Sequence, residues 1–140
     1  MAHSTTTPTT PGSYVLAFHT AFGAPVAEGA PTLTFDRAGL RHDLIAEEYE
    51  EFVDAFYAGD LVGVADALAD LTYVIYGFAL EAGIPLDDVL REVHESNMSK
   101  LREDGTPLLR YDGKILKGPN YFKPDIAGVL ERHGHVEAGA

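Results

Sequence analysis

Glu47, Glu48 and Glu51 in one segment, and Asp66 and Asp70 in the next, are the residues whose types and spacing suit chemistry. On a helix, separations of three or four residues put side chains on a common face with Cβ atoms about 5–6 Å apart. In an antiparallel helix pair, residues at one level have position numbers of constant sum. Glu47 with Asp70 and Glu51 with Asp66 give 117, and Glu48 with Asp70 gives 118. The five carboxylates can therefore converge. Such a nest repels itself, and a hard divalent cation, Mg²⁺ or Mn²⁺, is the compensation that carboxylate oxygens select, with waters and substrate phosphates as its other ligands. A solvated acidic face would explain EEYEE alone. It explains Asp66 and Asp70 less well, because they sit in the otherwise apolar VADALADLTYVIYG, where charge is rarely buried without a partner. The spacing favours a metal site.

Two helices must position these groups. Leu40, Leu44, Ile45, Tyr49, Phe52, Val53 and Phe56 form one apolar face at helical period. Leu61, Val64, Leu68, Leu71, Ile75 and Phe78 form another after a break at Ala58-Gly59-Asp60. Asp36 is the expected N-cap of the first helix, which runs to Tyr57. Asp60 caps the second, which runs to about Glu81 before Gly83 and Pro85. A shorter helix is expected from Ser13 to Phe22, with His19 partly buried on it. Another spans Leu86 to about Leu101, with Asn97 on its inner face and His94 and Lys100 flanking; a last one lies between Pro124 and His133. Tyr73 and Gly77 continue the stripe of Asp66 and Asp70, and Gly77 leaves room either for a base or ribose or for close helix packing.

The expected organisation is a disordered segment over 1–12, a single domain over 13–130 and a frayed tail over 131–140. The domain includes an irregular, basic stretch over 102–124. Lys114 and Lys117 in that stretch either reach substrate phosphates or serve as solubilising charge. The Gly113-Lys114-Ile115 sequence lacks the pattern of a P-loop. His133 and His135 read as tail residues, not as a zinc site.

A net charge of −12 argues against nucleic acid or an anionic membrane as partner. The chain has no cysteine, hence no disulfide or thiol chemistry, and no unbroken run of eighteen apolar residues, so no membrane span is expected. With no signal peptide in view, a cytoplasmic location is the expectation.

The hairpin resembles the MazG-like, all-α nucleoside triphosphate pyrophosphohydrolases, whose pattern is EExxE on one helix and ExxD on the next. Glu47, Glu48 and Glu51 match the first motif and Asp70 the aspartate of the second. Ala67 stands where the second motif has glutamate, and Asp66, four residues before Asp70, is the candidate replacement. EVHESNMSKLREDG and DGKILKGPNYFKPD resemble a bacterial and phage subgroup, so the likeness runs from about Tyr14 to Asp125.

The resemblance implies an all-α bundle of four to five helices built on the hairpin and completed in a homodimer. Aromatic residues on more than one face of the long helices agree with that assembly. It also implies Mg²⁺- or Mn²⁺-dependent hydrolysis of a nucleoside triphosphate, dUTP-like among the candidates, to the monophosphate and pyrophosphate. Glu48, Glu51 and Asp70 are then metal ligands together with Asp66 and Glu47. Glu47 is also the candidate base for the water, and Tyr73, Asn97, Lys100, Lys114 and Lys117 are candidate substrate contacts. Hydrolysis of phosphoribosyl-ATP is the enzymatic alternative. A helical binding protein without activity is the alternative that Ala67 supports.

Overall fold

Residues that end helices explain most of the layout. The structure, a computed structural model, describes residues 6–28 and 33–134. The chain divides into two compact units, one up to Ile84 and one from Pro85. Among the described residues there are five helices and no strand, so the expected all-α class holds.

The first unit carries α1 (Pro11–Phe22), α2 (Phe35–Tyr57) and α3 (Leu61–Ala82). The N-cap of α1 is Thr10, three residues before the expected Ser13. The Thr10 side chain accepts from the Ser13 amide, and Ser13 Oγ in turn accepts from the Thr10 amide at 2.8 Å. Ser13 is thus the third residue of a reciprocal cap. Pro11 tolerates the first helical position because its missing N–H would have had no helical partner there. The N-cap of α2 is Thr34, bonded to the Arg37 amide, and Asp36 sits in the first turn, where its charge suits the helix dipole. Asp60 caps α3 as expected, accepting from the Gly63 amide at 3.0 Å.

The hairpin turn is short because Gly59 takes a left-handed conformation, φ 68°. Helices α2 and α3 pack along their length and α1 lies against α3. The buried apolar residues of this unit are Val15, Ala67, Tyr76, Ala79 and Ala82. Among the described residues, α3 is long and apolar enough to pass a length-and-composition test for a membrane span, a test that core helices of globular proteins pass as well.

The second unit carries α4 (Leu86–Met98) and α5 (Ile126–Arg132), which pack on each other. Helix α4 stops short of Leu101. Ser99 Oγ turns back to the Ser96 carbonyl at 2.6 Å, and the Gly118 amide takes the Lys100 carbonyl at 2.8 Å. The irregular stretch that follows is fastened to α4: Ser96 Oγ donates to the Phe122 carbonyl at 2.8 Å, and the Asp125 amide donates to Glu92 Oε1 at 2.8 Å. A tight turn at Asp112-Gly113 lies between Leu109 and Ile115, which pair in a single antiparallel bridge. Asp112 is held below the usual carboxylate range by the Arg110 guanidinium and the Lys114 amide. His133 lies just past α5 and contacts Asp88 at 2.9 Å; His135 lies outside the described residues.

Candidate metal centre on the α2–α3 hairpin

Arg37 with Glu81 and Glu48 with Asp70 face each other across the hairpin, and each pair of position numbers sums to 118. At that register Glu51 is level with Ala67, and Asp66 is rotated about 100° away around the helix. The consequence is visible in the carboxylates. Glu48, Glu51 and Asp70 each offer an oxygen, and the three oxygens lie within 4.8 Å of one another. Asp66 is exposed and outside this group, and Ala67 is buried, 3% exposed. The place that the ExxD motif gives to glutamate is therefore filled by a methyl group.

Glu48 is the strained member. Partial burial pushes its carboxyl above the ordinary value, and the charges of Glu51, Asp70 and Glu47 push it further in the same direction. Its Oε2 is buried and makes no hydrogen bond. A buried carboxylate oxygen without a partner is costly unless something supplies positive charge. Three converging carboxylate oxygens, one of them unpartnered, fit a hard divalent cation. Glu47 is exposed, next in the chain to Glu48 and outside the three-oxygen group.

Tyr73, one turn beyond Asp70, is partly exposed and sits edge-on to Phe18 of α1, ring centroids 5.6 Å apart. In the second unit Asn97 is exposed, against the expected inner position, and accepts from Lys100 Nζ at 2.9 Å. The buried polar residue of α4 is its neighbour Ser96, because the face turned toward the Phe122 carbonyl is the one that the following chain covers. Lys114 is exposed; Lys117 Nζ lies 4.6 Å from the centre of the Tyr121 ring, a cation–π contact.

Sequence reasoning missed a charged network in the same hairpin. Glu81, its side chain 1% exposed, is clamped by two guanidinium groups of α2: Arg37 Nε reaches Oε1 at 2.7 Å, and Arg41 Nε donates to Oε2. Arg41 also approaches His19 Nε2 of α1 at 3.1 Å, and His19 Nδ1 is 2.9 Å from the Pro25 carbonyl. A guanidinium can only donate and a carbonyl only accept, so His19 is the neutral tautomer with its proton on Nδ1. His19 is thus fully buried and doubly bonded. Gly77 does serve close packing: a Cβ there would lie 2.6 Å from Arg41 Nη1. The signal was available, since Arg37 and Glu81 share the sum of Glu48 and Asp70.

Comparison with known proteins is consistent with this geometry. The family model for phosphoribosyl-ATP pyrophosphohydrolase matches residues 15–97, which include both carboxylate helices. An uncharacterised protein of Acanthamoeba polyphaga mimivirus is 34% identical over 94 residues. That match takes in 64% of this chain, and the chain spans only 35% of the relative's length. A crystal structure of a candidate NTP pyrophosphohydrolase from Exiguobacterium sp. 255-15 is similar with a TM-score of 0.50 and 26% identity, over 90% of this chain and 96% of that one.

Proposed function

Because the chain belongs to the phosphoribosyl-ATP pyrophosphohydrolase family, within the MazG-like superfamily, we propose that it hydrolyses a nucleoside triphosphate to the monophosphate and pyrophosphate with Mg²⁺ or Mn²⁺. A dUTP-like nucleotide is the candidate substrate. The observation that carries this reading is the convergence of Glu48, Glu51 and Asp70 with one oxygen of Glu48 unpartnered. These three residues would hold the cation. When bound, such an ion neutralises phosphate oxygens and makes a coordinated water more acidic.

The chain's own groups do the rest. Glu47, exposed beside Glu48, accepts the proton of the attacking water; Asp66 is a further acidic group at the rim. Tyr73, one turn beyond Asp70 on α3, is the proposed aromatic contact for a base. Asn97, Lys100, Lys114 and Lys117 are the proposed substrate contacts of the second unit, Lys114 the least engaged among them. A second copy of the chain is the proposed partner, since Phe56, Tyr57, Leu61 and Val62 all stay exposed at the hairpin turn, Val62 by 81%. Sedimentation should show a dimer, and a monomer at micromolar concentration would exclude it.

The deciding experiment is incubation with dUTP, other nucleoside triphosphates and phosphoribosyl-ATP, each with Mg²⁺ or Mn²⁺, in ¹⁸O-labelled water. The label should appear in the monophosphate and not in pyrophosphate. Release of orthophosphate with nucleoside diphosphate would refute attack at the α-phosphorus. Turnover of phosphoribosyl-ATP alone would favour the second reading, which the description of the matching family supports. Nucleotide binding without turnover would favour an inactive binding protein, for which the buried methyl of Ala67 is the evidence.

A further inference from the structure

The Glu81 network and the acidic group lie on one seam. Arg41 and Glu48 are seven residues apart on α2, and Asp70 and Gly77 are seven apart on α3. Seven residues is nearly two turns, so Arg41 with Gly77 stands about 10.5 Å along the same stripe from Glu48 with Asp70. At one end of this seam like charges converge and tend to part the helices; at the other, a buried carboxylate of α3 is gripped by two residues of α2 and steadied by α1 through His19. Gly77 lets the Arg41 guanidinium lie flat across α3, because a Cβ would come within 2.6 Å of Nη1 and 3.3 Å of His19 Nε2.

We infer that Arg41 and Glu81, together with Arg37, His19 and Gly77, are positioning residues that fix the register and spacing at which Glu48 and Glu51 of α2 share one divalent cation with Asp70 of α3. The inference rests on the metal-dependent reading above. It predicts that disturbing the network weakens metal binding two turns away, although none of its members touches the ion.

The test is calorimetric titration of Mn²⁺ into the folded protein, alongside circular dichroism and the metal dependence of turnover. Gly77→Ala pushes on the guanidinium, and Arg41→Lys keeps the charge while losing the fork. Arg37→Gln, at a partly exposed position, leaves Arg41 on Glu81 and guards against the other two failing to fold. Each folded variant should bind Mn²⁺ roughly tenfold more weakly, as when groups that orient metal ligands are removed. Turnover at saturating Mn²⁺ should return close to that of the unmodified protein. A role in stability alone would lower the melting temperature and leave the Mn²⁺ affinity of the folded protein unchanged, and that result overturns the inference. Failure of the unmodified protein to bind Mn²⁺ would overturn the metal reading and this inference together. Binding by the unmodified protein with equal binding by all folded variants overturns the inference alone.

Discussion

The two charged clusters of the α2–α3 hairpin solve opposite problems with the same backbone. Around Glu81 every strong group has a partner: one carboxylate takes two guanidinium groups, and the second of these also bonds a neutral histidine. Around Glu48 three carboxylate oxygens converge, and one buried oxygen has no hydrogen bond. Arg, Glu and His at one level make a clamp, whereas Glu, Glu and Asp two turns along make a demand for charge. The difference teaches where to look for a ligand. A satisfied buried network is architecture, and a half-buried carboxylate with an unpartnered oxygen beside two exposed ones is a candidate site.

The clamp should give the largest response. Glu81→Ala leaves Arg41 buried without its anion, and breaking a buried pair in this way costs about 3–5 kcal/mol. Urea denaturation should show that loss in the absence of any metal. A loss under about 1 kcal/mol would mean that water replaces the carboxylate and that the network is less closed than its burial implies.

The acidic end should respond in the opposite sense. Glu48→Gln removes mutual repulsion, so the metal-free protein should melt no lower than the unmodified one, while Mn²⁺-dependent turnover should fall on the order of a hundredfold or more. A drop in both would make Glu48 a structural residue.

The pH dependence separates the clusters again. Glu48 has a raised pKa in the folded state, so folding takes up protons in the window just above its ordinary value of 4.5. The unfolded state binds fewer protons there, and metal-free stability must fall as pH rises through the folded pKa. Thermal melts from pH 4.5 upward should show this decline. Glu48→Gln should flatten it, and saturating Mn²⁺ should reverse it, because the ion competes with the proton. An unchanged slope in Glu48→Gln would assign the effect elsewhere.

How much of this was legible in the sequence depends on the range of the interactions. The hairpin was, because its turn, the Asp60 cap and the apolar periodicity are local. The start of α1 was missed because its reciprocal cap uses Ser13 where glutamate or glutamine is usual. The end of α4 was missed because Leu101 continues the apolar period, while the Ser99 hydroxyl and the distant Gly118 amide turn the chain earlier. The clamp joins residues 40 and 44 positions apart, a range that apolar periodicity does not reach. The acidic trio was legible because constant-sum pairing finds it. That pairing did not separate 117 from 118, and one position on a helix decides whether Asp66 or Ala67 enters the seam.

Asp66 therefore gives the smallest expected effect and the sharpest test of register. If it stood in for the missing glutamate, Asp66→Ala would weaken Mn²⁺ binding about as much as Glu51→Gln, on the order of a hundredfold. At the observed register it is exposed and four residues from Asp70, so it acts on the site only through screened charge. A like-charge pair at that spacing is worth about 0.2–0.5 kcal/mol, which corresponds to roughly a twofold change in metal affinity. Raising the ionic strength should erase a twofold effect and leave a hundredfold one. Titration of Mn²⁺ into Asp66→Ala at low and high salt thus distinguishes a neighbour from a ligand. A large, salt-resistant loss would overturn the assignment of Asp66 as a neighbour and make it a ligand.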